Sequence, residues 1–115
     1  MTDRELLEMA AKASGIELCW APNADGIEQS AFDGVFPWIW WNPLEDDADA
    51  LRLAVKLDID FYTGADEKGP EAWAGYYLPG RENKKHACVS MVDDPYAATR
   101  RAIVCAAAEV GKGLK

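Results

Sequence analysis

His86 and Cys88 stand two residues apart, so on a β-strand they share a face, the placement that a thiolate–imidazole pair requires. Nucleophilic catalysis also needs a third group to orient the imidazole, and none stands at a recognisable spacing. A half-exposed histidine beside a core cysteine is the simpler reading. Glu45, Asp46, Asp47 and Asp49, with Asp58 and Asp60 further on, have the chemistry of a magnesium or calcium cage. They lack EF-hand spacing, and acid in a first helical turn is what the helix dipole favours. Trp38, Trp40 and Trp41 are clustered, with Tyr76 and Tyr77 on an expected neighbouring strand, and such rings could stack a base or a sugar. Alternation puts Trp38 and Trp40 on one face and Trp41 on the other, so packing on both faces accounts for most of them; rings left exposed would mark a protein partner. Arg100 and Arg101 fall on the outward side of an expected C-terminal helix, where guanidinium groups suit a phosphate or an acidic partner, against an ordinary role as solvated charge. Gly111-Lys112-Gly113 has neither the preceding strand nor the following helix of a phosphate loop. The candidate interaction residues are accordingly Trp38, Trp40, Tyr77, Arg100 and Arg101; no residue is assigned to catalysis, a cofactor or a metal.

The elements that position these side chains follow from local signals. Thr2-Asp3-Arg4-Glu5 reads as a capping box, Leu6, Leu7, Ala10 and Ala13 recur at helical spacing, and Gly15 supplies a stop, which predicts a helix over residues 3–14. Ile16, Leu18 and Trp20 share one face of a strand, and Pro22 to Gly26 is turn chemistry leading to a second strand over 27–31, so the two are expected to form a hairpin. Val35 to Trp41 reads as a further strand, with Pro37 arguing for an edge or a late start. A second helix is expected just after Asn42-Pro43, with Glu45, Asp49, Arg52 and Lys56 as its charged stripe. Leu44, Ala48, Leu51, Leu53, Ala54, Val55 and Leu57 fill the rest, a width that implies substantial burial.

Three more strands, over 59–63, 73–78 and 87–92, are separated by an expected exposed loop from Gly64 to Ala72 and by the turn segment 79–85, and suggest an antiparallel meander. Asp94-Pro95 opens a third helix, running to about Val110 before Gly111, whose inner face of Thr99, Ala102, Ile103, Ala106, Ala107 and Val110 is small enough to lie close against a sheet. The order of helices and hairpins is that of an α+β domain.

The totals narrow the class. A chain of 115 residues, 50% apolar, is expected to be one domain over residues 1–115, hiding roughly two-thirds of its unfolded surface on folding. No stretch approaches the ~20 apolar residues of a membrane span. Met1 to Glu5 carries acid where a secretory signal needs base, so a soluble, cytoplasmic protein is expected. Cys19, Cys88 and Cys105 are odd in number and widely spaced, as reduced thiols would be, and a single histidine with no paired cysteines argues against zinc. A net charge of −8 repels phosphate backbones and disfavours general nucleic-acid binding, although Arg81, Lys84 and Lys85, and separately Arg100, Arg101, Lys112 and Lys115, leave room for local basic faces.

Residues 41–57 (Trp41-Asn42-Pro43-Leu44-Glu45 through Leu57) and 94–111 (Asp94-Pro95-Tyr96-Ala97 through Gly111) together resemble the phage ABA sandwich domain family, firmly in the second half of the chain and loosely in the first. These are uncharacterised proteins of bacteriophages and prophages. The resemblance implies a three-layer α/β/α sandwich, with an antiparallel or mixed sheet of about five to six strands and three helices, and it implies no activity. The expected function is therefore that of a non-enzymatic phage accessory protein acting by protein contact in the cytoplasm of the host bacterium. One rival is an acidic decoy that mimics nucleic acid and occupies a host protein, which carboxylates clustered along one ridge would favour. Another is a small-ligand binder or hydrolase using the Trp and Tyr surface, which a deep pocket collecting His86, Asp60 and Trp40 would support. Open sheet edges also invite a homodimer.

Overall fold

The computed structural model describes residues 1–114. Helix α1 (Asp3–Ser14) starts on the expected capping box, with the Thr2 hydroxyl accepting from the Glu5 amide and the Glu5 carboxylate reaching back, and it stops at Gly15 in the left-handed conformation. Strands β1 (Leu18–Pro22) and β2 (Glu28–Phe32) form the expected antiparallel hairpin, pairing Trp20 with Ser30. Helix α2 (Asp47–Leu57) follows, then strands β3 (Asp60–Asp66), β4 (Gly69–Tyr77) and β5 (Lys84–Ser90), an antiparallel meander in the order β3-β4-β5. Helix α3 (Pro95–Lys112) closes the chain on the expected Asp94-Pro95 start, where the Asp94 carboxylate accepts from the amides of Tyr96 and Ala97. Among the described residues the fold is α+β: three helices and five antiparallel strands, the strands divided into a two-stranded and a three-stranded sheet where the expectation is one sheet of five to six strands.

Four local expectations are corrected. Residues 35–41 make no strand; only Trp40 bridges to Ala31, with the Phe32 amide donating to Ile39 and the Trp41 amide to Ser30. Gly34 turns the chain and Pro37 removes a donor, so the segment meets β2 only at its end. Helix α2 begins at Asp47, three residues later than the Pro43 signal suggests, because the Asn42 carboxamide turns the chain by accepting from the Leu44 amide and Asp46 then caps the helix. The segment from 64 to 72 is strand for most of its length: Asp66 accepts from the Lys68 amide and Gly69 adopts a positive φ, so β3 and β4 join through Glu67-Lys68 alone. Helix α3 runs through Gly111, whose missing side chain serves packing and not termination.

One core joins these elements. Leu6, Leu7, Ala10 and Ala11 of α1, Ala50, Leu53 and Ala54 of α2, Ala72, Ala74 and Tyr76 of β4, and the alanines of α3 are buried together around Ile103 and Val104. α3 lies against the inner face of the three-stranded sheet and carries both other helices. Its alanines suit that central place, since small side chains let α1 and the sheet approach from opposite sides.

Candidate functional site

β3 forms one edge of its sheet and is exposed at all seven of its residues. Among the described residues, no backbone hydrogen bond joins it to anything but β4. Successive side chains point to opposite faces, so Phe61 projects to the inner side and Tyr62 to the outer. On the inner side, a hollow of about 360 Å³ is lined by Ala50 and Leu51 of α2, Phe61, and Tyr96 and Ile103 of α3, with Asp47 at one end. Leu51, Phe61 and Tyr96 remain 53%, 42% and 72% exposed. The expectation that the broad apolar surface of α2 is buried fails here, and Val55 is 75% exposed as well. Arg100 ties the start of α2 to α3, through the Leu44 carbonyl at 2.9 Å and the Asp47 carboxylate at 2.7 Å, and the pair lines one end of the hollow.

The outer face is aromatic and charged. Tyr62 stacks on Trp73 at 5.2 Å between centroids and 22° between planes, and His86 meets the Tyr62 ring edge-on at 6.3 Å. Asp60 and Lys84 pair at 2.6 Å across Gly75, and the Lys84 ammonium stands 6.0 Å from the Tyr77 ring. The hydrogen bond from Lys84 holds the Asp60 carboxyl below the usual carboxylate range, and the same bond raises Lys84. Desolvation, then the neighbouring charge of Asp66, pushes the Glu71 carboxyl up. His86 and Cys88 do share this face, but desolvation first and Glu71 and Asp66 after it push the thiol up, the opposite of what a thiolate nucleophile needs.

The residues singled out by sequence lie in three places. Tyr77 is on this outer face. Trp38 and Trp40 belong to the segment after β2: Trp38 is half-buried and meets Phe36 edge-on at 5.5 Å, while Trp40 is exposed and borders a hollow of about 320 Å³ with Ser30, Asn42 and Asp49. Trp41 is buried, and it is the one of the three that the core takes up in full, where packing was expected to account for most of them. In that hollow, burial raises the Asp49 carboxyl against the lowering effect of the Asn42 amide that donates to it. Arg100 and Arg101 both line a concavity of about 650 Å³ between the start of α1 and the start of α3.

Arg101 is paired there with Asp3 at 2.6 Å, and Arg4 lies over the Trp20 ring at 4.3 Å. Four acids, Asp3, Glu45, Asp93 and Asp94, line the same concavity, so it carries no cationic excess. Asp60 and His86 share the outer sheet face, whereas Trp40 bridges β2, and the three are not gathered in one pocket. Among the described residues, no three His, Cys, Asp or Glu side chains gather closely enough to hold a metal ion.

Leu51, Phe61, Tyr62, Trp73 and Tyr96 were not anticipated as surface groups. The adjacent pair Phe61-Tyr62 was the available signal, since on any strand it places a ring on each face. No family model, no curated protein and no solved structure matches the chain. Among the described residues, no helix is long and apolar enough to cross a membrane.

Proposed function

We propose that this chain is a non-enzymatic phage or prophage accessory protein that acts in the cytoplasm of the host bacterium by contact with another protein. The observation that carries the reading is the apolar hollow beside β3, where Leu51, Phe61 and Tyr96 are exposed next to one another instead of being scattered singly. The phage origin rests on the resemblance of residues 41–57 and 94–111 to the phage ABA sandwich domain family. The finer three-layer architecture of that family requires a helix on the outer sheet face as well as α3 on the inner one, and among the described residues Tyr62, Tyr77 and His86 are exposed on that outer face. The acidic-decoy reading gains little, because Asp3, Asp47 and Asp60 each stand against a cation and break up any continuous ridge.

The test is capture from infected-host lysate by the tagged full chain, run beside the Leu51→Glu and Tyr96→Glu variants. A partner held reproducibly by the parent chain and lost by both variants is the expected outcome. Both substitutions are at exposed positions, so unfolding free energy should change by no more than about 0.5 kcal/mol. Capture that ignores the two variants, or a co-purifying metabolite or metal in place of a protein, would overturn the reading.

A further inference from the structure

We infer that β3 receives an extended segment of a partner protein as an added strand, with an apolar side chain of that segment seated in the hollow beside Phe61 and a Lys or Arg opposite the Asp66 end. This rests on the protein-contact reading and names the form of the contact. A receptive edge needs unpaired backbone groups, enough length, and a recess for alternate side chains of the incoming strand. β3 offers seven exposed residues free of proline, hydrogen-bonded on one side only among the described residues. The hollow of Leu51, Phe61 and Tyr96 lies on the inner side of that edge, while the stacked Tyr62 and Trp73 form a flat apolar surface on the outer side.

Charge selects the occupant. A second copy of this chain, pairing antiparallel through all seven residues of β3, would set Asp60 opposite Asp66 at both ends of the new ladder. Like charges directly opposed across strands are destabilising, so the edge is protected against itself. Asp60 is already matched by Lys84. The far end is different: Asp66 and Glu71 lie on the same outer face there with Lys68 near them, and desolvation and the charge of Asp66 push the Glu71 carboxyl up. A cationic residue at that end of an incoming strand relieves this repulsion, which a second copy of an acidic chain cannot do.

The test uses the isotopically labelled full chain and a synthetic heptapeptide with lysine at both ends and valine and threonine alternating between them. Amide hydrogen exchange and chemical shifts are followed along β3. The expected result is slower exchange at alternate residues of Asp60–Asp66, shifts at Phe61 and Tyr62, and about tenfold weaker binding when glutamate replaces both lysines. The Asp66→Lys variant, its fold verified by circular dichroism, should reverse the preference. Strand addition is refuted by unprotected β3 amides at millimolar peptide, by equal binding of the two peptides, or by a dimer of the chain alone that protects the same amides. If the peptide fails while lysate capture remains sensitive to Leu51→Glu, strand addition falls and the contact reading stands; if capture itself fails, the broader reading falls.

Discussion

Gly111 and Gly75 both stand where a Cβ has no room, but what occupies the space differs. Beside Gly111 of α3 lies the backbone of Met9 in α1, its carbonyl oxygen, carbon and Cα. Beside Gly75 of β4 lie the ends of two flexible side chains, the Asp60 carboxylate and the Lys84 amine. The first glycine marks where two helices have closed on each other until backbone meets backbone, and a packed interior transmits any change there. The second marks a strand face over which side chains are draped and from which they can swing away. Rigidity and adjustability therefore sit on opposite sides of one sheet: the edge strand β3 has the hollow beside Phe61 on its helix-packed side and the Tyr62–Trp73 stack on its adjustable side.

Gly111→Ala puts a side chain directly against the rigid contact and carries the largest expected effect. Alanine in a helix interior is worth about 1 kcal/mol over glycine. The new methyl would meet the Met9 carbonyl well inside contact distance, and overpacking a fixed neighbour costs on the order of 3 kcal/mol. Urea unfolding should show a net loss of about 2 kcal/mol as a lowered midpoint at unchanged slope. A variant as stable as the parent would mean that α1 can slide on α3, and the distinction between the two faces would fail.

Gly64→Ala tests an intermediate case. Its Cβ would approach Trp73 at 3.3 Å, a ring atom and not backbone, and that ring is stacked on Tyr62. The entropic gain of replacing a strand glycine, about 0.5–1 kcal/mol, should nearly offset the displacement of the ring. Unfolding should thus move by less than about 1 kcal/mol, while the near-ultraviolet dichroism of the tryptophans changes. An unchanged spectrum would show that the Tyr62–Trp73 stack is not held against the strand.

Which parts of this were legible in advance follows from how far each signal reaches along the chain. The Thr2–Glu5 capping box and the Asp94-Pro95 start are complete within four residues, so the sequence contains the whole interaction. The β1–β2 hairpin and the β3-β4-β5 meander follow from alternation and turns, which are also local. Burial is not local. Leu51 and Val55 continue the apolar pattern of α2 as convincingly as Leu53 does, yet of the three only Leu53 is buried in the core. Gly111 reads as a helix stop because the approach of Met9, near the other end of the chain, leaves no trace in the residues around it. Tyr77 was recognised as a surface candidate, but Tyr62 and Trp73 become one site only through the register that sets them side by side.

The smallest expected effect is Gly75→Ala, which isolates the Asp60–Lys84 pair. A Cβ there would displace both side chains, which are exposed and free to move, so the hydrogen bond is lost at little conformational cost. The carboxyl of Asp60 is held down chiefly by that bond. With a folded pKa below its unfolded one, Asp60 contributes stability above the ordinary carboxylate range, and that contribution disappears as pH falls through the depressed folded value. At neutral pH, the loss of an exposed pair is small and the better strand propensity of alanine opposes it, so unfolding should be nearly unaffected. Titration of the Asp60 carboxyl by nuclear magnetic resonance should nonetheless move up toward the ordinary range in the variant, with Lys84 moving down. A titration that stays depressed would mean that the pair re-forms around the new methyl, so that the side chains of the outer face accommodate a Cβ without losing their contact.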